Sequence, residues 1–146
     1  MNKKNDVIRW AIQDDAQALS VLNEAFNGVK MPVTEIRNSI DGNHELIAVA
    51  AVDEEVIGFA CAQSYASFCY REPQGEITEV YVREGARRQG VATALVSFLE
   101  EGLRGRGVNS IKVLTGRNND AAIKTYAGAG FAQQNELVFH KAFEPK

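Results

Sequence analysis

The chain has 146 residues, 45% hydrophobic, 8% aromatic and 24% charged, and its 16 basic and 19 acidic side chains leave a net charge of −3. At this length a folded chain buries roughly two thirds of the surface it exposes when unfolded, so one domain over residues 1–146 can build a core without disulfides or structural metal. The acidic balance argues against a nucleic-acid partner, Cys61, Cys69, His44 and His140 fall at no metal-ligand spacing, and no apolar run approaches the roughly 20 residues of a membrane span. A reduced, cytoplasmic protein with no membrane partner is expected.

In chain order, Val7 to Ala11 reads as a first strand, and Asp14 or Asp15 can cap a helix whose Leu19, Leu22, Ala25 and Phe26 share a face until Gly28. A short second helix is expected from Val33 to Ile40, closed by Asp41-Gly42. The apolar run Leu46 to Val52, the polar turn Asp53-Glu54-Glu55 and the run Val56 to Tyr65 predict a buried hairpin. Glu76 to Val82, rich in β-branched residues, reads as a central strand. A helix from about Gly90 to Arg104 follows, with Val91, Leu95, Leu99 and Leu103 at spacings of four. Ser110 to Leu114 predicts a strand and Asp120 to Ala129 a helix stopped by Gly130. Closing strands are expected near Phe131 to Gln134 and Leu137 to Lys141. This order implies an α/β fold of the α+β kind, a mixed sheet flanked by about four helices.

Chemistry concentrates after Val82, where Arg83-Glu84-Gly85-Ala86-Arg87-Arg88-Gln89-Gly90-Val91-Ala92-Thr93 links strand to helix. The first amides of a helix lack intrahelical acceptors and sit at its positive end, so this turn can cradle a phosphate. Gly90 allows close approach, and Arg87 and Arg88 add charge. It is neither a dinucleotide fingerprint nor a P-loop, since no G-x-G-x-x-G and no Gly-Lys-[Ser/Thr] is present.

The segment Val80-Tyr81-Val82, four residues, then Arg87-Arg88-Gln89-Gly90-Val91-Ala92 resembles motif A of the GNAT superfamily of acetyl-CoA-dependent N-acetyltransferases. Asn119-x-x-Ala122-Ile123-x-x-Tyr126-x-x-x-Gly130-Phe131 is similar to that family's signature on its last helix, and Arg87 to Leu95 is especially similar to aminoglycoside acetyltransferases. Ala86 stands where an aromatic is frequent, the turn lacks a frequent proline, and Ala92 replaces a second glycine. The resemblance implies acetyl-CoA as co-substrate, no metal, a small-molecule amine as partner and a possible homodimer. It also implies that Val80, Tyr81 and Val82 pair with the pantetheine arm, that Gln89, Gly90, Val91, Ala92 and Thr93 hold the pyrophosphate beside Arg87 and Arg88, that Asn119 bonds the pantetheine region, and that Tyr126 points at the thioester sulfur.

An alkyl amine with a pKa near 10.4 is less than ~1% neutral at pH 7, so a base is needed. Glu79, on the strand three residues before Val82, is the first candidate and Glu76 the second. Alternation puts them on opposite faces unless a β-bulge re-aims one. For Tyr126, full proton transfer to an alkyl thiolate is uphill by about 2 kcal/mol, so hydrogen-bond stabilisation of the departing sulfur is the expected role. Cys61 and Cys69 read as packing or idle thiols, which favours direct attack over a covalent relay. Acceptor walls are expected from Asn27 to Met31 and from Tyr65 to Arg71. Acetylation of a protein or peptide amine, a non-catalytic acyl-CoA-binding module and an unrelated phosphate-binding domain are the competing readings.

Overall fold

A computed structural model describes residues 6–42, 44–87 and 89–145. Five strands, β1 (Asp6–Trp10), β2 (Leu46–Val52), β3 (Glu55–Tyr65), β4 (Gln74–Val82) and β5 (Ile111–Val113), form one mixed sheet in chain order. The first four pair antiparallel, and β5 joins β4 in parallel after the crossover helix α3 (Val91–Arg104). Helices α1 (Ala16–Asn27) and α2 (Val33–Asp41) lie between β1 and β2, and α4 (Asp120–Gly128) follows β5. Asp53 and Glu54 both take positive φ (50° and 69°) in the two-residue turn joining β2 to β3, the geometry that matches the twist of a tight hairpin.

Two apolar layers cover the two faces. Leu95, Val96, Leu99 and Leu103 of α3 pack on Ala48, Ala50, Ala60, Ala62 and Ile77, while Leu19 and Leu22 of α1 pack with Ile36 and Ile40 of α2 on Val49, Phe59 and Cys61. The alternation along β2 and β3 explains this: small alanines face the close-lying helix and larger side chains face the other. Trp10 lies across α3 at Gly102, where an added Cβ would stand 2.6 Å from the indole ring.

Two expectations need correction. Asp15 stands at the N-cap of α1 but its side chain makes no cap hydrogen bond to that helix; its carboxylate accepts from Arg9 and from the Ile12 amide at a 3₁₀ turn (Gln13–Asp15) ahead of it. The strands expected near 131–134 and 137–141 do not form, and residues 131–145 run without regular structure. Alternating apolar residues become a strand only when a neighbouring edge supplies hydrogen-bond partners. Here β5 is three residues long and among the described residues pairs with β4 alone, and Leu137 and Phe139 are 78% and 90% exposed.

Candidate active site

The β4–α3 junction is built as the sequence suggests. Gly90 adopts φ 77°, the left-handed conformation that glycine takes without a Cβ penalty, and turns the chain into α3. Gly90, at the N-cap, brings no side chain to cap this helix, and the first intrahelical bond runs from the Ala94 amide to the Gly90 carbonyl, so the amides of Val91, Ala92 and Thr93 lack helical acceptors. Gln89 and Gly90 are exposed beside them. Arg87 is held against the strand end: Nε donates to the Val82 carbonyl at 2.8 Å, and the guanidinium lies 5.5 Å from the Tyr81 ring centroid. Arg88 lies outside the described residues.

Next to this cradle the sheet opens. β4 pairs with β3 up to Val82 but with β5 only from Gly75 to Ile77, so from Thr78 onward its outward-facing main-chain groups meet no strand among the described residues. An open strand edge ending at a helix N-terminus that starts with a glycine suits an elongated ligand with an amide-bearing arm and a diphosphate. Acetyl-CoA has both parts, and Val80, Tyr81, Val82, Gly90, Val91, Ala92 and Thr93 are the residues that would meet them.

A bulge aims the candidate base. Cys61 faces Glu79 across β3–β4 while the next partners are Ala62 and Ile77, which leaves Thr78 as the extra residue. Ile77 therefore points into the α3 layer, whereas Thr78 and Glu79 line a cavity of about 640 Å³ on the α1–α2 face. Thr78 Oγ1 donates to Glu79 Oε1 at 2.9 Å. Counting past the bulge puts Glu76 on the same face as Glu79, but Glu76 pairs with Lys112 Nζ at 3.7 Å and does not line the cavity. Asn27, Val29 and Met31 contribute to its wall, as expected; none of residues 65–71 does.

The cavity also contains a residue that the sequence reading missed. Glu45, just ahead of β2, joins Glu79 and Glu35 among the lining residues, with Phe26 and Phe59, and the described lining includes no lysine, arginine or histidine. Burial raises the Glu45 carboxyl above its usual range, the charge of Glu79 adds to this, and a hydrogen bond with Ser39 opposes it. Nothing local flags Glu45; only the register of β2, β3 and β4 brings it to Glu79.

On α4, Asn119 accepts from the Ala122 amide at 3.2 Å and so caps the helix, which leaves its amide nitrogen as the group it can offer a ligand. Tyr126 is half-buried, packs edge-on against Phe131 and touches the α3 layer. Burial raises its phenol above the ordinary value, which suits a hydrogen-bond donor better than a proton donor. Cys61 is buried, and burial with the two neighbouring carboxylates pushes its thiol well up, so it stays protonated and a poor nucleophile. No described helix is long and apolar enough to cross a membrane.

Residues 7–131 match the family model for acetyltransferases of the GNAT family. Over 90 residues the chain is 40% identical to aminoglycoside N(6')-acetyltransferase type 1 of Klebsiella aerogenes, a stretch covering 60% of this chain and 59% of that protein. Over 122 residues it is 30% identical to an acetyltransferase of Pectobacterium atrosepticum, covering 82% of each. Among solved structures, an aminoglycoside acetyltransferase from a soil metagenome in complex with sisomicin superposes with a TM-score of 0.83 over 96% of this chain and 97% of its own, at 16% identity. A ribosomal-protein-alanine N-acetyltransferase from Brucella melitensis does so with 0.81 over 95% and 99%, at 18% identity. The same fold thus carries enzymes named for small-molecule and for protein acceptors, so fold alone does not choose between them.

Proposed function

The chain belongs to the GNAT acetyltransferase family, and from that premise we propose that it transfers the acetyl group of acetyl-CoA to a primary amine of a small cationic molecule, by direct attack in a ternary complex. The observation that carries this reading is the cavity: about 640 Å³, within the usual range for small-molecule sites, with three carboxylates, two phenylalanines and no basic side chain among its described lining. Such walls favour an ammonium through charge and through the faces of aromatic rings. A polyamine antibiotic is the narrower candidate, supported by the name of the Klebsiella relative.

Acetyl-CoA supplies an activated acyl carbon and a thiolate leaving group. The amides at the start of α3, with Arg87, would hold its phosphates, and the open edge of β4 its pantetheine arm. Glu79, directed into the cavity by the bulge, would take the amine's proton directly or through water. A main-chain amide near Val82 would donate to the carbonyl oxygen as negative charge builds there, and the Tyr126 hydroxyl would donate to the departing sulfur.

Thiol release from acetyl-CoA with a panel of amines, between neutral pH and about pH 9, tests the reading. Turnover with cationic amines is expected, falling by about 100-fold in Glu79→Gln and about tenfold in Tyr126→Phe. Binding of acetyl-CoA with no turnover of any amine would make the chain a coenzyme-binding module. Acceptance of peptide amines alone would move the acceptor to the protein class.

A further inference from the structure

The floor of the cavity has one carboxylate more than removal of a single proton requires. Glu45, Cys61 and Glu79 each bring a side-chain oxygen or sulfur within 4.8 Å of the others. Strand pairing creates the grouping: Cys61 faces Glu79 on one side and Ile47 on the other, and Glu45 lies two residues before Ile47, on the same face of the sheet. The protonated Cys61 thiol is an uncharged spacer, and the described cavity lining places no cation between the two carboxylates. The groups that face Glu45 are Glu79 from β4, Cys61 from β3 and Ser39 from α2, and Glu35 of α2 lines the same cavity. Once a reacting amine gives its proton to Glu79, that amine is neutral. A charge on the half-buried Glu45 would then have the Ser39 hydrogen bond but no opposite charge in the described lining, a costly state unless the acceptor carries another cation.

We propose that Glu45 is the specificity-determining carboxylate of this site, holding a second ammonium on the acceptor while Glu79 receives the proton of the reacting amine, so that the acceptors are diamines or polyamines with nitrogens a few bonds apart. This rests on the acetyl-transfer reading. The reacting ammonium gives one proton to Glu79; as the N–C bond then forms and the thioester C–S bond breaks, the second proton leaves the nitrogen for the departing thiolate through solvent, and Glu79 returns its proton to solvent. Glu45 donates nothing to the reaction; its carboxylate form pairs with the second ammonium. Apparent acceptor affinity therefore rises with pH as Glu45 ionises.

The test compares matched acceptors, trimethylenediamine with propylamine and cis-cyclohexanediamine with cyclohexylamine, using acetyl-CoA and the intact chain as wild type, Glu45→Gln and Glu45→Asp. The wild type is expected to favour each diamine by about tenfold in kcat/KM, a preference carried mainly by KM. Glu45→Gln brings the ratio to about one and flattens the pH dependence of the diamine KM, and Glu45→Asp restores part of both. A purely structural role would depress paired substrates alike and leave the ratio standing. An unchanged ratio in Glu45→Gln, or equal use of each pair by the wild type, overturns the assignment while leaving acetyl transfer intact. Failure of the wild type to acetylate any of the four amines, or the wider panel, overturns acetyl transfer itself and this assignment with it.

Discussion

A carboxylate only 5% exposed must find donors, and Asp15 finds three: Arg9 Nη1 at 2.7 Å, Arg9 Nη2 at 3.0 Å and the Ile12 amide at 2.8 Å. Burial pushes its pKa up, but the bonds from Arg9 and Ile12 and the charge of Arg9 outweigh burial and leave it below the usual range. The hydrogen bond with Asp15 raises Arg9 in turn, against a smaller effect of burial. Because the folded value is depressed, the stabilisation is present above the ordinary carboxylate range and is lost as pH falls through the folded value. Asp15→Asn is expected to cost about 2 kcal/mol in urea unfolding at neutral pH, with the gap to wild type closing in acid. An equal gap at both pH values would mean that the charge is not what holds this corner. The corner matters because α1 begins there and carries Leu19, Asn23 and Phe26 to the cavity. Glu79 could be chosen from sequence because it sits on the strand leading into a recognisable turn. Glu45 could not, since a glutamate ahead of an apolar run looks like any solvated strand end until the register of three strands is known.

Among the elements, those with strong internal periodicity are found where the sequence puts them. The β2–β3 hairpin, β4, α3 and α4 each differ from expectation by one or two residues at their ends, as helix and strand boundaries commonly do. The tail from Phe131 onward carries a strand-like pattern without forming a strand, because period-two alternation records a preference and a strand also needs a partner. The start of α3 yields a sharper test. Gly90 has open space where a Cβ would go, so the cost of Gly90→Ala is that of the backbone at φ 77° rather than of a clash. A loss of about 1 kcal/mol of stability is expected, with weaker acetyl-CoA binding by calorimetry as the first turn relaxes away from its left-handed start. Unchanged affinity would separate the helix N-terminus from coenzyme binding.

Taken whole, the molecule is a sheet packed on both faces that opens within its interior where β5 leaves β4 after Ile77. The acyl carrier's proposed track runs along that opening, and the acceptor cavity lies on the α1–α2 face beside it. With net charge −3 over the chain and carboxylates as the only charged groups in the described lining, the field toward the cavity is attractive to cations. Raising ionic strength from about 0.05 M to about 0.5 M shortens the screening length severalfold, and KM for a polyamine should rise severalfold while kcat changes little. A KM indifferent to salt would argue that contact shape rather than charge gathers the acceptor. The same carboxylates govern what happens after the bond is made. An amide nitrogen stays unprotonated at neutral pH, so each acetylation of the proposed cationic acceptor would remove one of the charges by which the cavity would hold it. On the proposed function the acetylated molecule would then be bound more weakly than its precursor, and its departure would be favoured by the chemistry just completed.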